Sequence, residues 1–292
     1  MTRRVPKPSS PALRALRAGP GGTHSPRLAV RALSLLAVSA LVVAAGACGQ
    51  STTSSTSPDG GPDLIKEGTL TVCTHLDYAP FQSKQGTEIV GFDVDVVDQI
   101  AKDLGVKQEI TDTSFEGIES GESLETRQCD LAAAAMSITD VRKTKLDFSE
   151  SYFSAKQALL TKKGAGINTL ADLKGKKLGV QLATTGEDFA ESNKAANGYE
   201  VVQFEDLPLE VTAVQTGQIE GAINDNSVLF DYIKNHSDVE ITAEFDTGDN
   251  YGLGVRKGNK ALLDKVNATL AKIRSNGEYD KIYEKWIGPK PS

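Results

Sequence analysis

Between Leu70 and Trp286 the chain switches repeatedly between two hydrophobic periods, and this alternation constrains the fold more than any other feature. Leu70–Thr74, Lys177–Gln181, Val201–Phe204 and Glu220–Ile223 are short runs of the strand type. Between them lie helix-type stretches. Asp93–Leu104 carries Val94, Val97, Ala101 and Leu104 at the three-and-four spacing of one helix face. Asp93 and Asp95 occupy its first turn, where carboxylates suit the positive end of the dipole, and Gly105 closes it. Thr184-Thr185 opens a second helix, a third ends near Gly217, and Leu262–Ile273 and Tyr279–Trp286 are amphipathic helices separated by Gly277. Leu131–Ala135 reads as a buried strand from its place in the alternation, although its alanines alone would permit helix. Strands alternating with helices predict an α/β fold with parallel strands.

The first fifty residues have a different character. Seven Lys/Arg, from Arg3 to Arg31, precede the apolar run Ala32–Ala45, and Gly46-Ala47-Cys48 follows. A basic head, a short apolar stretch and a small-residue exit are the parts of a secretory signal. The run is shorter than the roughly twenty residues that span a bilayer. Cys48 resembles the acylated cysteine of a bacterial lipobox, with a departure at Ala45, where leucine is usual. We therefore assign residues 1–47 to a signal peptide and 48–63, rich in Ser, Thr, Gly and Pro, to a lipidated cysteine and flexible tether. The predicted location is the outer face of the cell membrane, held by lipid alone. The formal charge of −7 includes those seven basic residues and no acidic ones before Cys48, so the rest of the chain stands at −14. A body that acidic is a poor match for nucleic acid or an anionic surface.

Seven motifs occur in order: Tyr78-Ala-Pro-Phe81, Gly91-Phe-Asp-Val-Asp95, Ser137-Ile-Thr-Asp-Val-Arg142, Asp147-Phe-Ser149, Leu173-Lys-Gly-Lys176, Gly217-Gln-Ile-Glu-Gly-Ala222 and Tyr283-Glu-Lys-Trp-Ile-Gly288. This series resembles the polar-amino-acid solute-binding proteins of ABC importers, bacterial extracellular solute-binding family 3, over about residues 64–288. The resemblance implies a two-lobed, periplasmic-binding-protein-like (type II) α/β fold with parallel-rich mixed sheets and a ligand cleft between the lobes. Lobe 1 would comprise 64–155 and 254–292, and lobe 2 would comprise 156–253, with crossings near Tyr152–Leu160 and Tyr251–Val255. A monomer that delivers a free amino acid to membrane permease subunits is the implied activity.

A free amino acid presents a carboxylate and an ammonium, and both must meet partners when they leave water. Arg142 matches the family arginine whose planar fork holds the carboxylate. Ser137 matches a donor beside it, and Ala135 fills the position whose backbone carbonyl accepts from the ammonium. Thr184 and Thr185 match the helix-opening pair that reaches the carboxylate, where helix-terminal amides favour an anion; an ordinary N-cap role is compatible. Asp225 matches the carboxylate that pairs with the ammonium. Tyr78 and Phe115 match aromatic positions on either side of the ligand. His75 stands where many relatives that select cationic amino acids carry Asp. With the neutral amides of Gln181 and Asn224 it suits a neutral or acidic polar side chain, glutamine or glutamate first. Asp77 and Glu88 keep a basic ligand open.

The same fold also carries enzymes, cyclohexadienyl-dehydratase-like ones among them. Of the three histidines only His75 falls at a pocket position, so binding is favoured over catalysis. No Cys/His cluster, phosphate loop or haem motif points to a metal or cofactor. With Cys48 lipidated, Cys73 and Cys129 remain as an even pair in an oxidising compartment, and parity favours a disulfide. In the implied fold, however, Cys73 falls late in its strand and Cys129 just before a parallel neighbour. A stagger of roughly four residues at about 3.3 Å each exceeds the about 7 Å limit between bridged Cα atoms. The resemblance thus predicts two free thiols. For the anchor, Cys48→Ala should release the protein into the medium instead of leaving it on membranes. An unmodified mature N-terminus cleaved elsewhere, found by mass spectrometry, contradicts that assignment.

Overall fold

A computed structural model describes residues 61–290, so the basic head, the apolar run and Cys48 lie outside the described residues. Strand β1 (Thr69–Thr74) leads through the hairpin β2 (Ser83–Gln85) and β3 (Glu88–Val90) into α1 (Phe92–Leu104). Next come β4 (Lys107–Asp112), α2 (Phe115–Glu119), α3 (Glu122–Glu125), β5 (Leu131–Ala132), α4 (Asp140–Lys143) and β6 (Leu146–Phe148). The chain continues through β7 (Phe153–Lys162), β8 (Lys177–Gln181), α5 (Thr185–Asn197), β9 (Glu200–Phe204), α6 (Leu207–Thr216), β10 (Gly221–Asp225), α7 (Asn226–Ile233) and β11 (Val239–Tyr251). It closes with β12 (Gly254–Arg256), α8 (Lys260–Ser275) and α9 (Glu278–Trp286).

These strands form two five-stranded sheets, ordered β4-β1-β5-β12-β6 and β11-β7-β10-β8-β9. In the first, β4, β1 and β5 run parallel and β12 is antiparallel to both its neighbours. In the second, β10, β8 and β9 run parallel and β7 is antiparallel to β10 and β11. The fold is α/β with parallel-rich mixed sheets and two lobes. Phe153 already pairs in the second sheet, so the first crossing lies at Ser149–Tyr152, ahead of most of the expected stretch. The two crossings are laced together: Ser149 N–H donates to the Leu253 carbonyl, Tyr152 N–H to that of Tyr251, and Leu253 N–H to Ser149 Oγ.

Helix α1 forms over the expected stretch with Gly105 left-handed at its C-cap, but its buried face is turned: Val97 and Ala101 are buried together with Val96 and Ile100, while Val94 and Leu104, expected on that face, are half-buried. Its start is set by Gly91, at φ 150°, where an added Cβ would sit 2.0 Å from the Phe81 carbonyl oxygen. Only glycine allows that approach. It brings Phe81 into a buried aromatic cluster with Phe92, Phe153 and Tyr251, ring centroids 4.9–5.9 Å apart where they touch. This cluster sits under the crossings and joins both lobes to one core.

Two expectations are corrected. The run Leu131–Ala135 is strand only through Ala132, because the Thr74 hydroxyl takes the Ala133 carbonyl and Asp93 takes the Ala135 N–H. Cys73 and Cys129 are disulfide-bonded, with Cα atoms 5.6 Å apart, not free thiols. Only a chain extended through Cys129 would hold the two cysteines that far apart. Instead Arg127 is left-handed (φ 58°) and Cys129 N–H donates to Ser123, so the chain drops onto the sheet from α3. Cys129 packs there with Cys73, Phe115, Leu124 and Met136. Closing a loop over a sequence separation of 56 stabilises the fold by about 4 kcal/mol on the chain-entropy model. Thiol titration of the unfolded, unreduced protein should find neither cysteine reactive, and reduction should lower the melting temperature. Two reactive thiols contradict the pairing.

Candidate functional site

The bend after β5, the N-terminus of α5 and the end of β10 converge on one small cavity between the lobes. His75, Tyr78, Phe115, Ala135, Ser137, Arg142, Gln181, Thr184, Thr185 and Asp225 all line it. Gln82 and Ala134, which sequence reasoning missed, line it as well. Asn224 does not. It stands one layer behind, its Oδ1 accepting from Tyr78 Oη at 2.7 Å and its Nδ2 donating to Glu210. Asp77 and Glu88 are both exposed and outside the cavity wall.

Arg142 comes from α4, whose N-cap Thr139 accepts the Arg142 N–H. The residue is 4% exposed and its guanidinium carbon lies 5.3 Å from the centre of the Phe115 ring. Nη1 donates to the Ser137 carbonyl and Nη2 to that of Ala183, each at 2.8 Å, while Nε faces Glu119 at 3.4 Å. Three of its five N–H donors are thus engaged and two are left for a ligand. Burial lowers the Arg142 pKa from its ordinary value, and the Glu119 carboxylate opposes that shift.

Two alanines hold backbone conformations that L-residues seldom adopt: Ala135 at φ 47° and Ala183 at φ 64°. Each costs about 1–2 kcal/mol, a price met by its surroundings. Ala183 turns its carbonyl toward Arg142 across the cleft, and Ala135 is locked by its N–H to Asp93 Oδ2 at 2.8 Å. Thr184 is the N-cap of α5: its hydroxyl accepts from Glu187 N–H and donates to the Gln181 carbonyl, so it is committed locally. The Thr185 hydroxyl is the more available of the pair, 3.4 Å from Ser137 Oγ and from Gln157 Nε2.

Asp225, at the end of β10, is 7% exposed. It accepts from Gln157 Nε2 (2.6 Å) and the Tyr251 hydroxyl, and at 3.1 Å it shares the one Tyr78 hydroxyl hydrogen with Asn224 Oδ1. Burial pushes its carboxyl up to about 6, with Asp249 adding to the rise and those three donors opposing it. Behind it, fully buried Glu210 is pushed up to about 8, chiefly by desolvation. One wall of the cavity is therefore cationic and the other anionic, each group largely desolvated. That arrangement fits a small zwitterion. Among the described residues no group of three or more His, Cys, Asp or Glu is placed to hold a metal ion, and no helix is long and apolar enough to cross a membrane.

Comparison with known proteins agrees with this geometry. The profile of the bacterial extracellular solute-binding proteins, family 3, matches residues 70–289. The ABC transporter glutamine-binding protein GlnH of Bacillus subtilis (strain 168) is 36% identical over 208 residues, 70% of this chain and 75% of that protein. A probable histidine-binding protein of Neisseria gonorrhoeae is 33% identical over 263 residues, 86% of this chain and 93% of that one. An ancestral arginine-binding protein, solved bound to arginine and bound to glutamine, matches with TM-score 0.72 at 41% identity, covering 76% of this chain and 99% of that one. With its two lobes, its charged cleft and a family match over nearly all the described residues, this chain belongs to the bacterial extracellular solute-binding proteins, family 3.

Proposed function

We propose that the protein is the substrate-binding subunit of an ABC importer. It acts as a monomer held outside the membrane through a lipid on Cys48, and it clamps a free polar amino acid, glutamine or glutamate first, for delivery to permease subunits. The observation that carries this reading is the burial, in one cavity, of an arginine fork from one lobe and a carboxylate from the other. Arg142 takes the α-carboxylate with its two remaining donors, helped by Ser137 and Thr185. Asp225 takes the α-ammonium, helped by the carbonyl of Ala135. Ligand bound to both lobes holds the cleft closed, because opening would strand each ligand charge without its partner. A basic amino acid is the second reading. It is supported by the ancestral arginine-binding protein that this chain resembles.

Losing one partner of a desolvated charge pair costs about 2–5 kcal/mol. Arg142→Ala and Asp225→Ala should each weaken binding by roughly thirty-fold to several thousand-fold in calorimetric titration. Near-wild-type affinity in either variant removes its role.

The raised carboxyl also sets a pH dependence with two opposite signs. Asp225 must be ionised to pair with an ammonium, so affinity should fall as pH drops below about 6. In the unliganded protein its folded pKa lies above its unfolded one, so the folded state holds the proton more tightly. Its favourable contribution is present at low pH and is lost as pH rises from about 4 through about 6. Asp93, raised to about 7 by burial, and Glu210, raised to about 8, act in the same direction at higher pH. Unliganded melting temperature should therefore rise as pH is lowered from 8 toward 5, with Glu210→Gln flattening the upper part of that trend. A melting temperature that falls over the same range contradicts these assignments.

A further inference from the structure

Helix α6 carries one side chain that its packing alone does not explain. Leu207, Glu210, Val211 and Val214 follow the three-and-four spacing of a single helix face, and all four are buried. Three are apolar. The fourth, Glu210, is 0% exposed, and a carboxyl at that depth is costly where a methionine or leucine would not be. Only one of its oxygens is satisfied. Oε2 accepts from Asn224 Nδ2 at 2.8 Å, while Oε1 is buried with no hydrogen-bond partner among the described residues.

That one bond fixes the orientation of Asn224. A carboxamide has an acceptor end and a donor end of nearly the same shape, so its neighbours decide which way round it sits. Asn224 Oδ1 accepts from two donors, the Tyr78 hydroxyl at 2.7 Å and Asp225 N–H at 2.8 Å. Turned over, Nδ2 would face both donors. The other acceptor near Nδ2 is Gln181 Oε1, at 3.5 Å, the edge of hydrogen-bond distance, so Glu210 supplies the bond that keeps Nδ2 pointing away from Tyr78. A chain of bonds thus runs from α6 through Asn224 to the Asp225 backbone and across the cleft to Tyr78.

Resting on the amino-acid reading above, we propose that Glu210 is a positioning residue for ligand binding. It acts through Asn224 to hold the Tyr78 hydroxyl and the Asp225 main chain where the ligand ammonium meets them. Glu210 does not line the cavity, so it touches no ligand itself. Its acceptor oxygen matters here, not a charge: burial raises the carboxyl to about 8, so at pH 7 it is largely neutral, with the proton on Oε1. Glutamine supplies the same acceptor at the same reach.

The experiment is calorimetric titration at pH 7 with glutamine and arginine, or with whichever of the twenty amino acids binds most tightly if neither does. Glu210→Met should weaken binding about tenfold, the worth of one buried hydrogen bond. Glu210→Gln should stay within about threefold of wild type. Asn224→Ala should cost at least as much as Glu210→Met, and adding Glu210→Met to it should cost less than about twofold more, because nothing is left for residue 210 to hold. Methionine matches glutamate in length and suits the apolar stripe, and Glu210→Leu replaces it if the unliganded melting curve shows a folding failure. Unchanged affinity in Glu210→Met overturns this inference and leaves the amino-acid reading intact. So does an equal loss from Glu210→Met with and without Asn224, or a Glu210→Gln protein as weak as Glu210→Met. Wild-type protein that binds none of the twenty overturns both.

Discussion

The structure turns on two desolvated charges that do not neutralise one another directly. Arg142 is 4% exposed and Asp225 7% exposed, and each is held by bonds within the protein that leave its charge only partly compensated. Carboxyl burial is expensive enough to drive Asp225 to about 6 even with three donors on it. A site built this way stores unfavourable electrostatics that a zwitterion relieves at both ends at once. The strained alanines belong to the same site: Ala183 turns its carbonyl to Arg142, and Ala135 is fixed by its N–H to Asp93.

The site is wired into the crossings between the lobes. Tyr251, the last residue of β11, donates its hydroxyl to Asp225, while its backbone carbonyl accepts from Tyr152 on the other crossing. Tyr152 in turn donates its hydroxyl to Asp93 Oδ1 at 2.7 Å, and the other oxygen of Asp93 fixes Ala135. Ile138 N–H bonds the Asn250 carbonyl, and Gly252 N–H that of Met136, so the loop bearing Ser137 is stitched to the second crossing. Both ends of the site therefore meet at the crossings between the lobes.

Much of this was legible in the sequence for identifiable reasons. Alternating periods gave the layers, and α1 ends at the Gly105 that its C-terminus advertises. Arg142 and Asp225 were named through the resemblance that the motif series carries, and both lie on the cavity wall. The disulfide was not legible, because it depends on a left-handed Arg127 that breaks the strand geometry on which the spacing argument relied. Asn224 occupies a pocket position in sequence, yet the alternation of a strand turns it behind Asp225 toward Glu210. Gln82 follows the Tyr78–Phe81 motif and reads as a loop glutamine. Its paired backbone bonds to Tyr78 bring it to the cavity. Glu210 is an ordinary helix glutamate by sequence, and its burial follows from the packing of α6 on the second sheet.

The most direct test is a thermal-shift screen of the purified protein against all twenty amino acids at millimolar concentration. A ligand present at about a hundred times its dissociation constant stabilises the folded state by about 2.7 kcal/mol. One amino acid, or a small set sharing a side-chain chemistry, should raise the melting temperature by several degrees. An unchanged melting temperature with every one of the twenty would contradict the claim that Arg142 and Asp225 exist to hold the two ends of an amino acid.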